Sequence, residues 1–277
     1  MTIINAPIRR LDATDLPECV ELGVTRGWAR GARQWDMLFR MSEAYALHDG
    51  DGRIAACAVL TKQGDLLASV SMVLVAARFE RRGLGQRVMR HVIEQAGDRV
   101  VLLHSSKLGR PLYHKLGFRQ VTSATRFTGS LSAGAPTTRE ASAADLPALR
   151  RLDAEVTGVD RGVVLDVLLA EAEQVRVVET GGETTGYATG TRHEDETAIG
   201  PVIAADEAGA RALIADIATA AGGPVRLEID TTHPELVEWA GSVGLASGED
   251  APRLVHGDRP LPGDVSRRFA PILRALG

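Results

Sequence analysis

The chain has 277 residues, is 44% hydrophobic and carries a net charge of −4, which predicts two domains with sizeable cores and argues against a general nucleic-acid coat. No run of about eighteen apolar residues exists, so no membrane span is expected, and the N-terminus lacks the basic-then-apolar layout of a secretion signal. Cys19 and Cys57 are the only cysteines; without a signal they read as reduced, buried thiols of a cytoplasmic protein, and no His/Cys cluster points to a metal.

In chain order, residues 7–12 read as a strand. Asp12, Thr14 and Asp15 are cap candidates for a helix through Leu16, Cys19, Val20 and Leu22. Gly27 to Gly31 breaks it, and a second helix is predicted over 34–42. Strands at 44–48 and 53–61 flank Asp49-Gly50-Asp51-Gly52, a strong hairpin turn. Residues 66–75 form the next strand, rich in β-branched residues. The turn after it holds Arg78, Arg81, Arg82, Gly83 and Gly85. A helical pattern follows, with Leu84, Val88, Val92 and Gln95 at three- and four-residue steps. Residues 100–105 give another strand, a helix carries Tyr113, and 118–131 supply the last strands. The result is a mixed α/β fold.

Strand, glycine turn and helix start make an anion site. The first helical N–H groups lack partners, the helix dipole favours negative charge there, and Gly83 and Gly85 let the backbone come close. Further on stands Gly109-Arg110-Pro111-Leu112-Tyr113-His114-Lys115-Leu116-Gly117-Phe118. The apolar strand, the Arg-Arg-Gly-Leu-Gly turn and this second motif, one helix and one strand apart, together resemble the GNAT family of N-acetyltransferases over about residues 8–128. That family's phosphate loop reads Gln/Arg-x-x-Gly-x-Gly/Ala. Here Glu80 stands where Gln or Arg is usual, which sets a carboxylate beside a polyanion site, opposed by Arg78, Arg81, Arg82 and Arg87.

Gly129 to Pro136 is a small-residue linker, and the rest reads as a worn second copy. Asp15-Leu16-Pro17 recurs 130 residues on as Asp145-Leu146-Pro147, and Val73 to Ala77 aligns with Pro201 to Ala205. Gly117-Phe118 aligns with Gly244-Leu245. The copy lacks the arginines: its turn is four residues shorter and reads Asp206-Glu207-Ala208 before Gly209. Ala240 stands where the first half has Tyr113. The reading is therefore two GNAT-like domains, 1–131 catalytic and 137–277 degenerate, each a mixed, mostly antiparallel sheet flanked by helices. The second would shape the acceptor pocket or a subunit interface, and a homodimer is compatible with this.

The resemblance implies a reaction and its residues. Acetyl-CoA would be the acyl donor, its pantetheine arm pairing with Val73, Leu74 and Val75. Its pyrophosphate would rest on backbone N–H groups of Arg81, Arg82, Gly83, Leu84, Gly85 and Gln86, with Gly109 alongside. Tyr113, protonated at neutral pH, would give a proton to the departing thiolate. For the base, His104 and His48 are imidazole candidates, Glu80, Asp36 and Glu43 carboxylate ones, and a water relay needs no side chain. Trp28 and Trp35, around the junction of the first two helices, are candidate pocket walls for a small organic amine. A non-catalytic acyl-CoA sensor and a protein lysine acetyltransferase are the competing readings.

Overall fold

A computed structural model of the protein describes residues 6–27, 31–193, 195–274 and 276. The first half runs β1 (Ile8–Arg10), α1 (Leu16–Thr25), α2 (Ala32–Met41), β2 (Glu43–His48), β3 (Ile54–Gln63), β4 (Leu67–Val75), α3 (Leu84–Ala96), β5 (Val100–His104), α4 (Arg110–Lys115) and β6 (Phe118–Gly129). The second repeats that order: β7 (Arg139–Glu140), α5 (Leu146–Thr157), α6 (Gly162–Glu171), β8 (Gln174–Thr180), β9 (Glu183–His193), β10 (Glu196–Ile203), α7 (Glu207–Ala221), β11 (Val225–Asp230), α8 (Pro234–Ser242) and β12 (Ala246–His256). A short β13 (Arg268–Ala270) closes the chain. The last segment of the first half, expected as strands over 118–131, is one continuous strand.

Local chemistry explains the repeated starts. Asp12 and Ser142 each cap a single 3-10 turn with a reciprocal capping box to Asp15 and Asp145, and a proline opens the α-helix behind each. Arg9 and Arg139 grip those same aspartates, Arg9 with one contact at 2.9 Å and Arg139 with two at 2.9 Å. Hairpin β2–β3 turns where expected, because the Asp49 carboxylate accepts from the backbone N–H groups of Asp51 and Arg53 at 3.0 and 2.9 Å.

The halves do not keep separate sheets. The described residues form one mixed sheet of 13 strands, in the order β1-β2-β3-β4-β5-β12-β6-β11-β10-β9-β8-β7, with β13 on β10. The final strands are exchanged. β12 of the second half lies antiparallel to β5 of the first (Leu254↔Leu103), and β6 of the first half lies antiparallel to β11 of the second (Leu227↔Phe127). One core cluster also crosses the halves, joining Trp35, Met37 and Leu38 of α2 to Leu149, Leu165 and Leu168 of α5 and α6. Each such leucine, fully buried, contributes roughly 1.5–3 kcal/mol, so the halves are welded along sheet and core alike.

Candidate active site

The site begins where β4 leaves its neighbour. β4 and β5 pair in parallel at Leu67↔Val100, Ala68↔Val101 and Ser69↔Leu102, and no further. Beyond Ser69 the strand kinks: Met72 adopts φ +50°, and the register with β3 slips between Cys57 and Val59. Such a bulge bends its strand away from the sheet. Leu74 and Val75 stay paired with Cys57 and Ala56 on the β3 side. The other edge of Val73, Leu74 and Val75 has no strand partner among the described residues, which leaves a wedge lined with free backbone donors and acceptors.

At the wide end of the wedge the turn sets up the head of α3. Arg81 (φ +58°) and Gly83 (φ +79°) both take left-handed backbone, and Gly83 caps α3 with no side-chain hydrogen bond. The N–H groups of Leu84, Gly85 and Gln86 therefore point outward at the positive end of the 13-residue helix, with no acidic residue in its first turn. A Cβ on Gly85 would lie 3.4 Å from Val75 Cγ2 and 3.3 Å from Leu112 Cδ2, so glycine lets the helix sit close against the strand. Arg81 and Arg82 are exposed and have no carboxylate partner among the described residues. Arg78 and Arg82 lie over the Phe79 ring at 4.8 and 5.5 Å. Glu80, the departure from the usual motif, is ion-paired with Arg26 at the end of α1, 2.6 Å away, and Arg78 pairs with Asp49 at 2.7 Å. The turn's one carboxylate is thus already matched by a cation from another element.

Tyr113 is on α4, whose neighbouring Leu112 packs at the head of α3 beside Gly85. The Tyr113 ring packs edge-on against Phe118, 5.9 Å between centroids, and the residue is 7% exposed. Burial pushes its phenol up to about 12, so the hydroxyl stays protonated through the working pH range. Gly109 has a plain steric reason: a Cβ there would meet Tyr113 Cε2 at 2.7 Å and its hydroxyl at 3.2 Å. The phenol thus lies over the loop that follows β5.

The imidazole expectation fails on geometry. His104 ends β5, but its Nδ1 lies 3.1 Å from the Arg274 carbonyl and its Nε2 3.3 Å from Arg253 Nε. Arg253 can only donate, so Nε2 accepts and Nδ1–H donates; neither lone pair nor proton is spare. Burial, reinforced by the Arg253 charge, holds the ring down to about 3. His104 is a neutral hydrogen-bonded strut, not a base. The alternatives lie elsewhere too: Glu43 pairs with Lys62 and accepts from Tyr45, Asp36 pairs with Arg40 on the surface of α2, and His48 does not border the cavity described next.

A cavity of about 480 Å³ opens where β4 and β5 part. Val70, Ser71 and Met72 line one wall, and His104, Ser105 and Ser106 the next. The floor is from the second half and the exchanged strand: Arg126 on β6, Arg226 and Glu228 on β11, and Ile272 to Arg274 of the C-terminal segment. Trp35 borders it while only 2% exposed, so it is a core residue with one edge on the cavity. Trp28 lies outside the described residues. Sequence reasoning missed Ser71 and Ser105, whose hydroxyls are buried with no hydrogen-bond partner, and missed the charged floor. A lone serine in a strand gives no signal, and the floor is assembled from three distant segments.

Comparison with known proteins settles the family. Models described as the acetyltransferase (GNAT) domain match residues 33–132 and, separately, residues 149–270. The chain belongs to the GNAT acetyltransferases. It is an acyltransferase with two GNAT units in tandem. It is 27% identical to an uncharacterized N-acetyltransferase of Bacillus subtilis, YitH, over 91% of each chain. Its fold matches a provisionally assigned acetyltransferase from Pyrococcus horikoshii (TM-score 0.82, 16% identity, 98% of this chain and 95% of that one). It also matches a tandem GNAT protein from the clavulanic acid biosynthesis pathway (TM-score 0.66, 13% identity, 92% and 99%). GNAT acetyltransferases use acetyl-CoA and act on amines, and the open wedge, uncapped helix and unpaired arginines suit an extended, polyanionic ligand.

In the second GNAT unit the equivalent wedge is filled. β10 and β11 part after Ile199↔Leu227 just as β4 and β5 do. There β13 enters and pairs with β10 at Val202↔Ala270 and Ile203↔Arg268; β9 already holds the opposite edge. A Cβ on Gly200 would lie 2.2 Å from the Pro271 carbonyl oxygen, so the C-terminal segment runs directly over it. The helix start is occupied too. Asp206, the N-cap of α7 and thus the counterpart of Gly83, accepts from Gly209 N–H at 2.8 Å, with Glu207 beside it. Main chain sits where the first unit leaves an open edge, and a carboxylate sits where it leaves bare N–H groups.

Proposed function

We propose that the first unit is the catalytic N-acetyltransferase and the second a fold-preserving, non-catalytic partner that builds the acceptor cavity. The observation that carries this is the asymmetry of the two wedges. One has a free β4 edge, bare helix donors and a tyrosine; the other is filled by β13, capped by Asp206 and has the buried Ala240 on its corresponding helix.

Acetyl-CoA, when bound, supplies an acyl thioester. Residues 81–86 would hold its diphosphate through main-chain N–H groups, and Val73 to Val75 would pair with its arm. A free main-chain N–H of the strand edge would stabilise the carbonyl oxygen as charge develops on it. The amine of a small acceptor, seated in the cavity, forms the new C–N bond as the C–S bond breaks. Tyr113 passes its hydroxyl proton to the sulfur, and the proton the amine gives up returns through cavity solvent to the Tyr113 oxygen. Cys19 and Cys57 are both buried free thiols, which supports a reducing, cytoplasmic setting for the reaction. No described helix is long and apolar enough to cross a membrane.

Thiol release from acetyl-CoA over a panel of amines tests this. Turnover on free amines that collapses by about 10²-fold or more in Tyr113→Phe is expected, the range usual for loss of a general acid. Tight acetyl-CoA binding with no turnover on any amine would instead favour a sensor, and turnover confined to peptides a protein acetyltransferase.

A further inference from the structure

The cavity floor poses a charge problem. Three arginines meet there with one carboxylate. Glu228, 6% exposed, takes Arg126 Nε on one oxygen at 2.8 Å and Arg274 Nε on the other at 2.7 Å. Arg226 Nε reaches Glu196 at 3.0 Å, outside the cavity lining. The terminal nitrogens of Arg126 and Arg226 make no hydrogen bond among the described residues. The arginines also repel one another: Arg274 is held below its ordinary value by burial, with the charges of Arg126 and Arg226 adding to that shift. A cluster of guanidinium groups with unused planar donors is matched to carboxylate or phosphate.

The opposite wall asks for something else. Ser71 and Ser105 are 8% and 4% exposed, and their unpartnered hydroxyls belong to β4 and to the residue just past the end of β5. They border the cavity where the wedge opens into it. A buried hydroxyl left without a partner is costly, and an amine or its water would satisfy both. The cavity is thus polar and uncharged at the wedge and cationic at the floor.

We infer that the acceptor is an amine that also carries an anionic group, a carboxylate or a phosphate, with its nitrogen between Ser71 and Ser105 and its anion on Arg126 and Arg226. This rests on the acyl-transfer reading above and narrows it to a substrate class. The non-catalytic half then has a function of its own, because the anion-binding arginines come from β11 and from a strand that pairs with it.

A matched panel with acetyl-CoA tests the inference: the L-α-amino acids and ω-amino acids against their carboxamides, and O-phosphoethanolamine against ethanolamine. Acidic amines should exceed their neutral partners by roughly 10- to 100-fold in kcat/KM, the usual loss when a charged hydrogen-bond partner is removed. Whether the carboxylate or the phosphate series responds identifies the anion. In Arg126→Gln and Arg226→Gln, both at partly exposed positions, the acid-to-amide ratio should fall towards one, while acetyl-CoA binding by calorimetry is kept. Arg126→Lys should restore part of the ratio. Equal turnover of acids and amides, turnover of neutral amines alone, a ratio that ignores both substitutions, or acetyl-CoA binding with no turnover in either series would each overturn the inference. Loss of acetyl-CoA binding in the unaltered protein would instead overturn the acyl-transfer reading beneath it.

Discussion

Gly109→Ala isolates the role of the phenol. Gly109 sits in helical backbone (φ −79°, ψ −25°), so alanine enters without backbone strain. Its methyl would lie 2.7 Å from Tyr113 Cε2, 3.1 Å from Cζ and 3.2 Å from the hydroxyl. Normal contact needs roughly another 1 Å, and the ring already packs edge-on against Phe118, 5.9 Å between centroids. Overpacking costs about 1–3 kcal/mol, and at an N-cap alanine brings no propensity gain over glycine, so the protein stays folded with a modest fall in Tm. The hydroxyl, however, moves by about the distance that costs on the order of 10²-fold in rate. Thiol-release kinetics should show a fall of that order in kcat with KM for acetyl-CoA little changed. Because Gly109→Ala and Tyr113→Phe act on one group, the double variant should be no slower than Tyr113→Phe alone. Normal kcat in Gly109→Ala, or effects that multiply in the double variant, would rule out the phenol as the proton donor.

Three further outcomes are expected. Glu80→Gln removes the one carboxylate of the phosphate turn and frees Arg26, so acetyl-CoA should bind more tightly, with the gain larger at low salt; calorimetry at two ionic strengths checks it, and weaker binding would count against an anion site there. Asp153→Asn breaks a buried cluster in which Asp153 is paired with Arg161 at 2.8 Å and accepts from the Tyr187 hydroxyl; urea unfolding should show a loss of about 3–5 kcal/mol. Stability should also fall as pH drops below about 6.5. His104 is held down near 3 and His193 near 4, both chiefly by burial. Between those values and 6.5 the unfolded chain binds protons the folded one refuses, so stability rises with pH there, by up to about 1.4 kcal/mol per pH unit for the buried His104 and by less for the partly exposed, solvent-screened His193. His104→Gln, which can keep both hydrogen bonds, should flatten that slope, and an unchanged slope would contradict the strut assignment.

The elements that were legible in the sequence are those fixed by local chemistry. The Asp49 to Gly52 turn, the Asp12 and Asp15 caps and the strand–glycine–helix sequence around Gly83 each depend on residues within a few positions of one another. The repeat of Asp-Leu-Pro was legible for the same reason. Strand exchange was not: β6 and β12 have the same pleat whichever half they pair with, so the choice of edge leaves no mark in their patterns. His104 stands among the base candidates in the sequence because its two partners, Arg253 and the Arg274 carbonyl, come from the second half through β12 and the C-terminal segment. That segment gave no warning either. Three residues of β13 are too short for a periodic signal, yet they fill the second wedge.

Where the coenzyme sits is decided by a crystal structure of the protein grown with acetyl-CoA. One coenzyme per chain is expected, its diphosphate on the N–H groups of residues 81–86 and its sulfur within hydrogen-bond reach of the Tyr113 hydroxyl. Coenzyme lying between β10 and β11 with β13 displaced, or in the first wedge with its sulfur far from Tyr113, would overturn the assignment of catalysis to the first unit.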